Sequence, residues 1–339
     1  MKIAVILAGV LLLFVLGIYF MTLGVADTSI AQVCRAVQQG FSGTLYENSD
    51  GQSAQRKVVF LIRFPRLVLS VFAGAGLAIS GVAMQGITRN PMVSPFTIGI
   101  SAAAAFGASL AIVFGIGILP GTEVGIVLNA FFASMLCALL VYGVSRRTGM
   151  RPESVVLTGI AFNYIFSALT STIEFFAAEH KLASVVEWTF GTFNGATWEE
   201  TLVVMAFVTA CTLVIARFAL MLNVASSGED ELVRSLGVNP TTLRVIMGVC
   251  SVLMTAAIIS FTGVIGFVGL VGPHIGRILI GNDHRYLIPF SGVVGALLMI
   301  VADTLGRMLL SPVSIPVGIV VSFIGVPLFI HLILNKKEV

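Results

Sequence analysis

The chain has 339 residues, 57% of them hydrophobic and only 10% charged, with 19 Lys and Arg against 16 Asp and Glu for a net charge of +3. A soluble domain carries about 25% charged residues, so this chain cannot clothe a globular exterior, and its apolar side chains must face lipid. The composition excludes a disordered chain, a collagen and a disulfide scaffold. The net charge is too small for a nucleic-acid partner, and Cys34, Cys137, Cys211 and Cys250 lack zinc spacing.

A bilayer crossing takes about 20 mainly apolar residues. In chain order such runs cover 3–25, 58–86, 95–119, 124–145, 153–178, 200–224, 242–262, 264–281, 287–310 and 313–334, which predicts an all-α polytopic membrane protein of ten helices. The eighth run is short and is interrupted by Gly272 and Pro273. The first, behind Lys2, is longer than the 7–15 residues or so of a secretory h-region and reads as a retained helix. Residues 27–57 read as an outer loop rich in Gly, Ser and Gln, and 179–199 as a second, with Trp188 and Trp198 suited to the membrane interface. Neither face has room for a catalytic domain, so 1–339 reads as one transmembrane domain. Cytoplasmic loops hold the excess of Lys and Arg; with the N-terminus inside, Arg89, Arg146, Arg147, Arg151, Arg217, Arg234, Arg244, Arg277 and Arg285 fall on the inner side with Lys2, Lys336 and Lys337. Both termini are thereby expected in the cytoplasm, with Arg63, Arg66 and Arg307 outside.

The longest inner polar segment is 223–240. Ser226 and Glu229 have the spacing of a capping box, Asp230 and Glu231 suit the positive end of a helix, and Gly237 is a natural stop before Pro240 opens the next span. Gly228 to Gly237, with Arg234 among them, thus predicts one short helix outside the membrane. Spacing alone fits a structured turn as well as a docking surface; Leu232, Val233 and Leu236 put apolar residues on that helix and favour docking.

Arg63 and Arg66 lie three apart at the outer entry to the second span, where they either snorkel to headgroups or grip an acidic partner. The run Ala73, Gly74, Ala75, Gly76 and Gly81 is suited to close helix packing and leads to Met84, Gln85, Asn90 and Pro91. Glycines at 263, 266, 269 and 272 leave a bare ridge along which a second backbone or a moving substrate can pass. Non-helical backbone there must be covered by protein or line a cavity. His274 lacks a second ligand at helical spacing and reads as a packing residue. Asp303 and Arg307 are spaced to pair through i, i+4, and Glu174 has no local partner, so that burial would favour its neutral form. No GxxxxGK[ST], GxSxG or HExxH pattern occurs, so the chain is not expected to hydrolyse ATP, to act as an enzyme or to hold a metal.

RFPR at 63–66, LAISG at 77–81, Met84 and Gln85, RNP at 89–91, LGV at 236–238, GFVGL at 266–270, PH at 273–274, AD at 302–303 and PVG at 316–318 form an ordered set. As a set they resemble the FecCD family of ABC importer permeases, the transmembrane subunits for iron-siderophore, haem and cobalamin uptake, over residues 58–334. The resemblance implies the type II importer permease fold, with helices two to five and seven to ten as inverted pseudo-repeats. It also implies a homodimer or close heterodimer with the pathway between subunits, in the inner membrane. Two cytoplasmic ATPase subunits would hold ATP and Mg, with no cofactor on this chain, and a periplasmic or lipid-anchored binding protein would deliver the chelate. Glu229 to Val238 would be the surface that the ATPase grips, and Arg63, Arg66 and Arg307 would meet acids on the binding protein. Met84, Gln85, Asn90, Pro91, Gly266, Gly269 and Pro273 would line or pack the pathway. The chain departs from the family at Met92, Val93 and Ser94 after RNP, and at Val233. The expected cargo is an iron(III)-siderophore, with cobalamin, haem or molybdate as alternatives. The rival from another class is a proton- or sodium-driven transporter using Glu174 or Asp303.

Overall fold

In the computed structural model, residues 1–23, 28–43, 53–228, 230–235, 237–310 and 313–334 are described, and their regular structure is helical throughout. Seven helices are long and apolar enough to cross a membrane, judged by length and composition. They are α1 (Lys2–Thr22), the continuous stretch Ala54–Thr88 that contains α4 (Phe64–Thr88), α6 (Glu123–Arg146), α7 (Pro152–Phe176), α9 (Trp198–Arg217), α12 (Pro240–Thr262) and α14 (His284–Met308). Three shorter apolar helices, α5 (Ile100–Phe114), α13 (Val268–Ile280) and α15 (Val317–Leu334), take the remaining predicted runs. Two sets of four helices, α4 to α7 and α12 to α15, share one order of lengths: long, short, long, then a closing helix.

The two segments read from sequence as outer loops are partly helical. Within 27–57 lie α2 (Ile30–Ser42) and α3 (Ser53–Val58); within 179–199 lies α8 (Glu179–Thr189). A capping box starts α2: the Gln32 amide donates to Ser29 Oγ at 3.3 Å and the Ser29 amide to Gln32 Oε1 at 2.8 Å, an arrangement worth about 1 kcal/mol. Val33 and Ala36 then pack on Met21 and Val59. Because α2 is amphipathic rather than uniformly apolar, a search for membrane runs passes over it.

Between α3 and α4, Val59–Arg63 form one π-turn in which the Phe64 amide reaches back to the Val59 carbonyl. That wider step releases the Phe60 carbonyl, which accepts from Trp198 Nε1 at 3.0 Å. Phe41, Phe60 and Phe64 surround the indole, with ring centroids 5.2–6.4 Å from it. Trp198 is therefore tied to the protein as well as suited to an interface.

The core is built around α4, which packs against α14, α12, α13 and α9, whereas α1 lies outside and touches mainly α14. Small residues make this possible. A Cβ on Gly74 would stand 2.7 Å from the Gly295 carbonyl carbon, and one on Gly81 would stand 2.8 Å from the Gly269 carbonyl carbon. The expected bare ridge therefore seats a neighbouring backbone at Gly269, while at Gly266 a Cβ would meet nothing within 4 Å. The eighth run is helical only from Val268. Residues 263–267 leave the helix, with φ +71° at Gly263 and +64° at Phe267. The turn after α8 covers their backbone: a Cβ on Gly191 would stand 2.5 Å from the Val264 carbonyl oxygen and one on Gly263 3.1 Å from the Gly191 Cα, while the Thr192 amide donates to the adjoining Thr262 carbonyl at 2.7 Å.

Candidate functional site

Three places gather the residues singled out from sequence. The first is the polar segment 223–240. The sixth predicted run breaks at Phe218 into α9 and α10 (Ala219–Ser226), followed by the one-and-a-half-turn helix α11 (Asp230–Ser235). Ser226 is not an N-cap: it ends α10, and its hydroxyl donates to the Asn223 carbonyl at 2.8 Å. Glu229 and Leu236 lie outside the described residues. Gly237 stops the helix as expected, at φ +80°. The Gly237 amide donates to the Arg234 carbonyl at 2.9 Å and the Val238 amide to the Val233 carbonyl at 3.4 Å, a Schellman pair. Asn239 then caps α12 by accepting from the Thr241 amide at 2.9 Å, with Pro240 in the first turn.

The short helix is clamped by charge. Asp230 accepts from Arg244 Nη2 at 2.9 Å through both carboxylate oxygens, and from Arg89 Nη2. Arg89 closes α4 in the left-handed conformation, and its Nε donates to the Ala225 carbonyl at 2.8 Å. Burial alone would raise the Asp230 carboxyl, but the Arg244 hydrogen bond and charge, then the Arg89 charge and hydrogen bond, outweigh it and hold the pKa below the ordinary carboxylate value. Of the apolar residues expected to dock, Val233 is fully buried and holds α11 down, whereas Leu232 is 44% exposed. Glu231, Arg234, Gly228 and Gly237 face solvent. Beside the clamp a cavity of about 720 Å³ is lined by Arg89, Asn90, Pro91, Arg151, Asp230 and Arg244. Asn90 shapes its rim by accepting from the Met92 amide at 2.9 Å, and Val93, one of the departures from the family pattern, is buried beneath.

The second place is the N-terminal end of α4. Arg66 Nε lies 3.0 Å from both Asp303 oxygens, its Nη2 lies 2.7 Å from Oδ1, and its Nη1 donates to Asn194 Oδ1 at 2.7 Å. Arg307 pairs with the same carboxylate, Nε to Oδ2 at 3.3 Å, as the i, i+4 spacing requires. Its Nε–H points off the oxygen, so the contact is an ion pair without a hydrogen bond. Arg63 turns the other way, donating to the Met21 carbonyl at 2.8 Å and Thr28 Oγ1 at 3.0 Å. These arginines tie α1, α4 and α14 together within the chain, a role the sequence did not reveal. The Asp303 side chain is 6% exposed, Arg66 15% and Arg307 24%, so the cluster is a half-buried region with more cation than anion.

The third place lies between α4 and α13. Met84 and Pro273 are buried. Gln85 donates from Nε2 to the Gly269 carbonyl at 3.4 Å and accepts from Arg277 Nη1 at 2.6 Å. Arg277, placed from sequence at the inner side of the eighth run, thus reaches into the helix seam. Gly266 opens onto an apolar cavity of about 630 Å³ bounded by Phe190, Phe267, Gly318, Phe323 and Pro327. Glu174 is half-buried near the end of α7, and His274 is half-buried on α13 next to Pro273.

The profile of the FecCD transport family matches residues 10–335. The Fe(3+)-citrate import system permease protein YfmD of Bacillus subtilis is 34% identical over 83% of this chain and 82% of its own length. The molybdate import system permease protein MolB of Haemophilus influenzae is 36% identical over 84% of this chain and 83% of its own. A solved metal-chelate type ABC transporter in an inward-facing conformation superposes with a TM-score of 0.85 at 31% identity, covering 98% of this chain and 99% of that one.

Proposed function

The chain belongs to the FecCD transport family, and from that premise we propose that it passes an iron(III)-siderophore inward across the cytoplasmic membrane, driven by ATP in partner subunits. The observation that carries the coupling part is the Asp230 clamp. One carboxylate joins the extramembrane helix α11 to the end of α4 through Arg89 and to the start of α12 through Arg244. A force applied to α11 is therefore delivered to two of the most enclosed spans, and the exposed Leu232 offers an apolar contact through which a partner could apply it. ATP and Mg belong to two ATPase subunits on this face, and both termini lie on the same side.

Two copies of the chain form the pathway, with Gly266 and its cavity contributing to the wall. At the outer end, the surplus of cation around Asp303 supports docking of an acidic face of a binding protein at Arg63, Arg66 and Arg307. An iron(III) chelate is favoured by the iron(III)-citrate relative; the molybdate relative marks the alternative cargo.

Leu232→Asp tests the coupling. A carboxylate placed in an apolar contact must be desolvated, so the variant should fold and reconstitute while its ATPase no longer drives uptake. Normal uptake by Leu232→Asp, with normal ATPase assembly, refutes the assignment.

A further inference from the structure

A third cavity, of about 660 Å³, opens between α6 and α12. Its walls are Met135, Leu139 and Tyr142 from α6 and Val245, Val249 and Leu253 from α12. At the far end α6 closes against α9 through Phe131 and Phe207, whose ring centroids lie 5.9 Å apart. Two glycines keep the groove open. A Cβ on Gly143 would meet nothing within 4 Å, and Gly248 leaves room for the hydroxyl end of Tyr142 against α12, where a Cβ would stand 3.1 Å from Cε1 and closer still to the hydroxyl.

The groove has one polar end. Arg146, in the last turn of α6, lines it and is exposed, and its side chain has neither a hydrogen bond nor an ion pair among the described residues. Thr241 and Thr242 face it from the first turn of α12, also exposed. From Met135 to Arg146 the helix rises about 17 Å at 1.5 Å per residue, which matches half of a hydrocarbon core of about 30 Å. A slot as long as one leaflet, apolar along its walls, with an unpaired cation at the headgroup end, has the shape and charge of a phospholipid.

We infer that the α6–α12 groove binds an anionic phospholipid, with one acyl chain along Leu139, Tyr142 and Val249 and the phosphate on Arg146. The bound chain would rest on α12, whose first turns carry Arg244 to the Asp230 clamp. Basic pockets between helices at the membrane surface recognise such headgroups through the same combination.

The test uses the purified full chain in nanodiscs with phosphatidylglycerol bearing a diazirine near the acyl terminus. After irradiation, adducts are expected on peptides from α6 and α12, and at lower yield with the phosphatidylcholine analogue. Arg146→Glu should lower the yield about fivefold or more, whereas Arg217→Glu, at the corresponding end of α9, should leave it unchanged. Gly143→Trp keeps the cation but fills the groove, and should abolish the adducts; a melting curve for each variant establishes folding. Adducts spread evenly over the lipid-facing helices, equal labelling by the two lipids, or full labelling of both Arg146→Glu and Gly143→Trp would overturn the assignment. So would adducts that disappear because a second copy of the chain covers the groove.

Discussion

Adding one methyl group at Gly81 and at Gly143 should shift stability in opposite directions. Both glycines lie inside apolar helices, α4 and α6, and in such positions Ala is favoured over Gly by about 1 kcal/mol through backbone entropy alone. At Gly143 nothing lies within 4 Å of the new Cβ, so Gly143→Ala should gain most of that, about 0.5–1 kcal/mol. At Gly81 the Cβ would stand 2.8 Å from the Gly269 carbonyl carbon, 3.0 Å from its Cα and nearer still to its oxygen. Those are backbone atoms of α13, which cannot rotate aside, so α4 and α13 must separate along their length. Overpacking of this kind costs about 1–3 kcal/mol or more, which outweighs the entropy gain and leaves Gly81→Ala net destabilised by about 1–2 kcal/mol. Unfolding midpoints of the two variants and the parent, measured in one detergent at matched concentrations, decide the matter by sign. If Gly81→Ala is stabilised like Gly143→Ala, the packing described for α4 is wrong.

Asp303→Asn should cost about 2–4 kcal/mol, less than the removal of a fully buried partner because Arg66 and Arg307 retain some exposure; a double-mutant cycle with Arg66→Leu should recover a coupling of at least about 1 kcal/mol, and its absence would dismiss the cluster as a structural tie. For Asp230 the folded-state pKa lies below the ordinary value, so its stabilisation is complete above the unfolded-state value of about 3.9 and is lost as pH falls through the lowered one. Exchange protection of the α11 amides should accordingly be flat, after correction for intrinsic rate, from about pH 8 to about pH 5 in the parent, while Asp230→Asn loses protection throughout. Gly237→Pro, at φ +80°, should disorder the α11–α12 junction and uncouple ATPase from uptake while the spans stay folded, an outcome that circular dichroism and a paired ATPase and transport assay can check.

Hydropathy located all ten apolar runs because burial in lipid demands about 20 apolar residues wherever a helix crosses. Hydropathy did not mark where the backbone leaves the helix, since 263–267 is as apolar as the helix that follows; the glycine spacing did mark it, but not the path, which depends on Trp188, Gly191 and Thr192 packing over it. The segment 27–57 reads as a loop because α2 is amphipathic and carries no membrane-length apolar run, and the capping-box spacing at Ser226 misled, since α10 runs on to that residue. Local charge pairs could be read, as Asp303 with Arg307 shows. Arg66 with Asp303 and Arg89 with Asp230 could not, because their partners are brought together only by the packing of α4 against α14 and α10.

The central claim is that energy enters through partner subunits on the α11 face. The most direct measurement is uptake of a radiolabelled iron(III)-siderophore into proteoliposomes holding this chain, its ATPase and its binding protein, with ATP and Mg supplied to the ATPase side. The account predicts accumulation that requires ATP hydrolysis and persists when proton and sodium ionophores collapse every gradient. Accumulation by this chain alone, without ATP and abolished by those ionophores, would contradict it.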